Sequence, residues 1–210
     1  MNPITQVNIF PSCYCPPIPW FVAALRHQSI NIEQWNHYRK QRYSSRMYVK
    51  LSNRIYPLTI PVERRGAKMP LKEKKISYQE DWRRQHWNSL MSAYQNSPYF
   101  EYYAQQIHAC LYQSHVFLID LHMELLLKIL KWLNWDGTLS LTEEYLSSDR
   151  YEFDLRQAFD PSLKSFPSWF VPVRYPQVFD GFQPGLSILD LLCNEGPVSR
   201  GMLLNSFRQD

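Results

Sequence analysis

Glycine is scarce in this chain, with six in 210 residues against fifteen prolines. That scarcity matches what is missing. There is no phosphate-cradling P-loop, no dinucleotide-binding glycine fingerprint, no His-Glu-x-x-His and no Gly-x-Ser-x-Gly elbow. The common nucleotide and hydrolase signatures are thereby excluded, and rarer ones are not. Cysteine is also sparse, at four. Cys13 and Cys15 are separated by a single residue, a spacing that fits neither a redox pair nor a zinc knuckle, so the thiols read as structural and no metal site is expected. A long apolar span is absent too. The most apolar run, residues 116–133, is interrupted by Asp120, His122, Glu124, Lys128 and Lys131, which argues against membrane insertion. The first residues carry no basic region, apolar stretch or cleavage site, and the expected location is cytoplasmic.

What is present is ordinary globular composition with many aromatics. The chain is 45% hydrophobic and 20% charged, which argues against disorder. The length fits one domain spanning residues 1–210. A net charge of +4 is too mild for a dedicated nucleic-acid binder, though it would favour an anionic ligand if concentrated in one place.

The pattern predicts an α/β protein: a small mixed sheet opening with a strand–loop–helix–strand unit, followed by a substantial helical half. Val7 to Phe10 reads as a strand, and Pro16, Pro17 and Pro19 punctuate a loop. Trp20, Phe21 and Ala24 have the spacing of a buried helix face, and "SINIEQW" reads as a second strand. Alternation at Val49 and Leu51, then at Tyr56, Leu58, Ile60 and Val62, predicts a hairpin turning at "SNR". Pro57 and Pro61 push its second arm to a sheet edge. From Asp81 the period becomes helical, with Trp87, Leu90, Met91 and Tyr94 on one face. A long helical region is expected from Pro98 to Trp132, its buried stripe being Val116, Ile119, Met123, Leu126, Leu127 and Leu130. A short helix at "SILDLLCNEGP" ends at Gly196-Pro197.

Three places could hold chemistry. The run "NHYRKQRYSSR" brings His37, Tyr38, Lys40, Gln41 and Arg46 together after the second strand, where open α/β sheets gather ligands. Lys offers a point charge there and Arg a bidentate fork for phosphate or carboxylate. A solvated loop is the plain alternative. His86, half-buried on its helix, could move a proton or could be a hydrogen-bonded boundary residue. In the last helix, Ser187 and Asp190 have roughly capping-box spacing. Asp190 could instead face a pocket beside Asn194. His108, His115 and His122, spaced by seven, follow the helix repeat rather than metal-ligand spacing.

Several of these segments resemble the bacterial WbqC-like family. They are "FPSCYCPPIPWF", "HYRKQRYSSRMYV" with "YPLTIPV", "HWNSLMSAYQNSPYFEYY", "YPQVF" and "GLSILDLLCNEGP", in the family's order along nearly the whole chain. The family occurs in gene sets for O-antigen and other surface polysaccharides. The resemblance therefore implies a group-transfer enzyme, a transferase or ligase, acting on a sugar nucleotide or another anionic small-molecule precursor. The rival is a non-catalytic binding or scaffold protein. Beside Pro17, Trp87, Tyr94, Ser97, Pro98, Tyr99, Phe100 and Gly196, the family's motif positions fall on ten further residues, all polar: Tyr14, His37, Tyr38, Lys40, Gln41, Arg46, His86, Ser187, Asp190 and Asn194. Their roles in the family are not assigned. Of these ten, His37, His86 and Asp190 are the expected catalytic residues and the others the expected substrate-binding ones. Cys15 stands where many members have an apolar residue, and only "SFPSWFVPVR" fills a stretch that is longer in other members. The sequence names no cofactor and no oligomeric state.

Overall fold

The computed structural model describes residues 8–64, 69–145, 147, 148, 151, 153–161 and 165–208. Strand β1 (Asn8–Pro11) carries fully buried Ile9 and Phe10. It is followed by helix α1 (Ile18–Ala24), with Pro17 at the N-cap and a proline in the first turn, where the missing N–H costs nothing. Strand β2 (Ser29–Glu33) then returns parallel to β1, Phe10 pairing with Ile32. The expected strand–loop–helix–strand unit is therefore present.

Beyond β2 the chain leaves the sheet. Strands β3 (Arg46–Leu51) and β4 (Arg54–Thr59) form an antiparallel ribbon of their own, in a register where Tyr48 faces Pro57. Each strand of a two-stranded ribbon has an outer edge, so Pro57 forfeits no inner hydrogen bond. Helices α2 (Trp82–Tyr94), α3 (Phe100–Tyr112) and α4 (Leu118–Trp132) follow. The long helical region expected from Pro98 to Trp132 is thus two helices. Extended backbone at Gln113 and Phe117 separates them. Of the expected stripe, Ile119, Leu126 and Leu130 are buried in α4, joined by Leu118, Leu121, Leu125 and Ile129, while Val116, which precedes the helix, and Leu127 are exposed. On α2 the buried face runs through Trp82, His86, Leu90 and Ala93, and Trp87 and Met91 lie at its margin.

The chain re-enters the sheet at β5 (Thr138–Leu141), parallel beside β2, and at β6 (Phe153–Asp154), parallel beside β1. The order β5-β2-β1-β6 is a doubly wound arrangement. Successive strands are added to one side of β1, and then the last is added to the other. The strand content expected of one mixed sheet is divided between this parallel sheet and the separate ribbon. Helices α5 (Ile188–Glu195) and α6 (Ser199–Asn205) close the chain. The buried apolar residues form one contiguous cluster that includes Phe10, Trp20, Phe21, Leu90, Tyr103 and Ile188. Complete burial of a side chain such as Phe10 or Phe21 contributes roughly 2–3 kcal/mol.

Gly196 ends α5 at φ 54°, ψ −129°. A Cβ there would stand 2.5 Å from the Tyr99 ring, itself tied to α5 by its N–H donating to the Cys193 carbonyl. Gly196→Ala is expected to cost about 2–3 kcal/mol. The check is thermal unfolding, where the variant should melt several degrees below wild type.

Candidate functional site

In open α/β sheets, ligands collect outside the carboxyl ends of the strands where the winding reverses, because the two flanking connections diverge there and leave a crevice. Here that place lies between β1 and β6. The segments leaving both strands line a cavity of about 520 Å³. Pro17 and Pro19 come from the β1 side, Phe159 and Asp160 from the β6 side. Tyr43 and Tyr48 reach in from the entrance to the ribbon, and Phe166, Gln183 and Gly185 complete the wall. Gly185 takes φ 76°, and a Cβ there would collide with the Phe166 ring at 2.3 Å. Arg42 forms an ion pair with Asp160 at this site.

The motif residues near the start of the chain build the frame of this cavity. The Tyr14 N–H donates to the Tyr43 carbonyl at 2.7 Å. The Tyr14 hydroxyl, fully buried, lies 2.9 Å from His86 Nδ1, and His86 Nε2 lies 3.2 Å from the Thr59 carbonyl. A carbonyl can only accept, so Nε2 carries the proton and Nδ1 accepts from Tyr14. Burial pushes the His86 pKa down to about 4, against a smaller opposing pull from the Thr59 carbonyl. The ring is therefore neutral at pH 7 and acts as a brace between the first loop and β4. Arg46 Nε donates to Thr59 Oγ1, and the Tyr38 hydroxyl donates to Ser45 Oγ.

A second brace lies behind the Gln183–Gly185 wall. Asp190, almost wholly buried on α5, accepts from the Tyr175 hydroxyl at 2.7 Å and from Gln177 Nε2 at 2.8 Å. Gln177 in turn bonds the Gln183 backbone in both directions. Burial raises the Asp190 pKa to about 6, opposed by the Tyr175 and Gln177 hydrogen bonds and by the Lys50 charge. The Tyr94 hydroxyl is close enough to favour the ionised carboxylate but makes no hydrogen bond. Lys50 is buried with its ammonium donating to the carbonyls of Phe179, Asp180 and Gly181. Ser187 caps α5 by accepting from the Leu189 N–H at 3.4 Å, its own N–H donates to the Tyr48 carbonyl, and its hydroxyl donates to Cys15 Sγ. Asp190 turns inward rather than closing a capping box. Asn194 Nδ2 donates to the Asp190 carbonyl.

The structure therefore gathers Tyr14, His86, Ser187, Asp190 and Asn194 into the cavity's supports. It does not bring His37, Lys40 or Gln41 to the cavity. All three are exposed, with Gln41 at φ 62°. Lys40 has Lys74 as a charged neighbour, and His37 pairs through its backbone with Pro70. Arg46 lies on the ribbon and Tyr38 under Lys74 rather than in the wall. The lining residues Tyr48, Phe159, Asp160, Phe166 and Gln183 escaped the sequence reading. The signals that could have pointed to them are the Pro184-Gly185 pair in a glycine-poor chain and the aromatics of "SFPSWF".

His122 lies 2.7 Å from Ser12 Oγ, with burial driving its pKa down to about 3. His115 pairs with Glu124 at 2.8 Å, and His108 stacks on Tyr112. The three histidines thus serve separate contacts. All four cysteines are free and buried, and burial pushes the Cys15 thiol up to about 12. Among the described residues no group of three His, Cys, Asp or Glu side chains could hold a metal ion, and no helix is long and apolar enough to cross a membrane.

Fold and cavity together define a doubly wound α/β protein with a ligand-sized pocket at its strand-order reversal. The chain belongs to the WbqC-like protein family, which it matches over residues 12–160 and 165–201. It is also similar to the uncharacterised protein Rv1507c of Mycobacterium tuberculosis, at 26% identity over 76% of this chain and 80% of the relative. No solved structure matches it.

Proposed function

We propose that the protein is a cytoplasmic group-transfer enzyme, a transferase or ligase of bacterial surface-polysaccharide precursor biosynthesis, whose substrate enters the cavity between β1 and β6. The observation that carries this reading is the position of the cavity at the sheet's switch point, within the roughly 300–1,000 Å³ range of small-molecule sites. The assignment to polysaccharide precursors rests on the family's genetic setting. Asp160 is the one carboxylate among the described lining side chains, and it takes the proton of the acceptor hydroxyl or amine as that atom bonds to the transferred group, while the donor's bond to its phosphate or other activating group breaks and that group departs with the electron pair. In this reading His86 and Asp190 position the walls and do not touch substrate.

A thermal-shift screen against nucleotides, nucleotide sugars, acyl-coenzyme A species and amino acids, each with and without Mg²⁺, tests the proposal. A ligand at a hundred times its Kd adds about 2.7 kcal/mol, and for a protein of this size that moves the melting point by roughly 5–10 °C. The shift should vanish in Ser165→Trp, which fills the cavity from its wall. Asp160→Asn should keep most of the shift and lose turnover with the same ligand. If no compound stabilises the wild type, the enzyme reading falls and a binding or scaffold role takes its place.

A further inference from the structure

An activated sugar has two halves, one anionic and one not, and the cavity's lining suits them unequally. Resting on the proposed function, we infer that the moiety buried here is an uncharged sugar ring, and that any phosphate of the same molecule stays outside the cavity. Tyr43, Tyr48, Phe159 and Phe166 supply aromatic surface. Tyr43 and Tyr48 meet edge to face at 5.6 Å, and Phe166 is steadied by Phe170 at 5.2 Å. Their orientation is held by neighbours, so little side-chain entropy is lost when a ligand packs against them. A pyranose presents apolar C–H faces that suit aromatic rings, and a girdle of hydroxyls that need both donors and acceptors.

The polar groups fit that girdle. Among the described residues Asp160 accepts from Arg42 in an ion pair, and Ser165 and Gln183 are neutral. No lysine or arginine is among the lining residues described. A phosphate buried here would face the Asp160 carboxylate and compete with it for Arg42. Burying an ion without a dedicated partner is costly, whereas burying a hydrogen-bonded hydroxyl is not. The expectation that a phosphate or carboxylate fills the site through Lys40 and Arg46 therefore gives way to an expectation of ring recognition.

Saturation-transfer NMR with methyl glycosides of neutral hexoses, and separately with UDP and UDP-glucose, separates the possibilities. The expected result is saturation reaching the pyranose ring protons of at least one methyl glycoside and of UDP-glucose. It should fall at least fivefold in Tyr48→Ala and in Ser165→Trp, with UDP alone giving no cavity-dependent signal. Ser165→Trp preserves the test if Tyr48→Ala fails to fold. If UDP binds as tightly as UDP-glucose and Ser165→Trp abolishes both, the cavity takes the anion. That result overturns the inference and leaves the group-transfer reading standing. If neither glycosides nor nucleotides show cavity-dependent binding, both fall together.

Discussion

Acidification from pH 6.5 to pH 4 should cost this protein on the order of 4 kcal/mol of folding stability. His86 and His122 are buried neutral, with pKa values brought down to about 4 and about 3. In the unfolded chain both would titrate near 6.5. Over this window the unfolded state binds two protons that the folded state refuses, so stability drops as pH falls. Asp190 works in the opposite direction. Its folded pKa of about 6 lies above the ordinary carboxylate value, so from pH 6 down to about 4 the folded state takes up one proton that the unfolded state does not. Two protons against one leaves a net loss, at about 1.4 kcal/mol per proton and pH unit. Urea unfolding at half-unit pH steps measures the slope. His122→Gln, whatever its effect at pH 7, should flatten the slope by one proton. An unchanged slope would show that His122 is not excluded from protonation by the fold.

The second large effect concerns Asp190. Asp190→Ala removes the acceptor of the buried Tyr175 hydroxyl and one of the acceptors of the Gln177 amide, which keeps the Gln183 carbonyl, so one buried donor is left unsatisfied at a cost of about 2 kcal/mol. Because Gln177 grips the Gln183 backbone, the same change should loosen the cavity wall and weaken ligand binding at least tenfold, although Asp190 does not line the cavity. Asp190→Asn keeps an acceptor, and its new amide can donate toward the Tyr94 hydroxyl. It also removes the penalty of holding a buried charge, which is complete above about pH 6 and absent below about pH 4. The asparagine variant should therefore gain on wild type as pH rises from 4.5 to 7.5. Parallel denaturation curves for the three proteins at the two pH values decide it. Equal losses in the alanine and asparagine variants would sink the account.

The sequence made the opening unit and the ribbon legible because each rests on local pattern. The prolines before α1 and the alternation through Tyr56 and Leu58 are readable over ten residues or fewer. Strands β5 and β6 are not, since the alternation of "TLSL" lasts only four residues and "FD" only two, too short to mark a strand without pairing to β2 and β1. The α4 stripe was legible at Ile119, Leu126 and Leu130, but apolar residues occupy most of the helix's positions, so the sequence did not show that Leu127 is exposed or that Leu118, Leu121, Leu125 and Ile129 are buried as well. The candidate site divides in the same way. Tyr14, His86, Ser187 and Asp190 stand out as polar residues in apolar settings, which marks them as partners of something, and their partners are the cavity's supports. The wall itself is assembled from Tyr43, Tyr48, Phe159, Phe166 and Gln183, residues unremarkable one by one and brought together only by the topology.

That topology also sets an order of events during synthesis. Strand β1 is central, yet it gains its neighbour on one side from Asn31–Glu33 and on the other only from Phe153 and Asp154, while β2 waits for Thr138. A nascent chain that has emerged as far as α4 therefore holds a two-stranded sheet with both edges open. Non-local parallel pairing is slow because loop closure is paid for before contacts reward it. Until residue 141 clears the ribosome the edge of β2 is a template for strands of other chains, and until residue 154 does so that of β1 is another. Dilution and low temperature should matter most for yield in that interval, before the cavity exists.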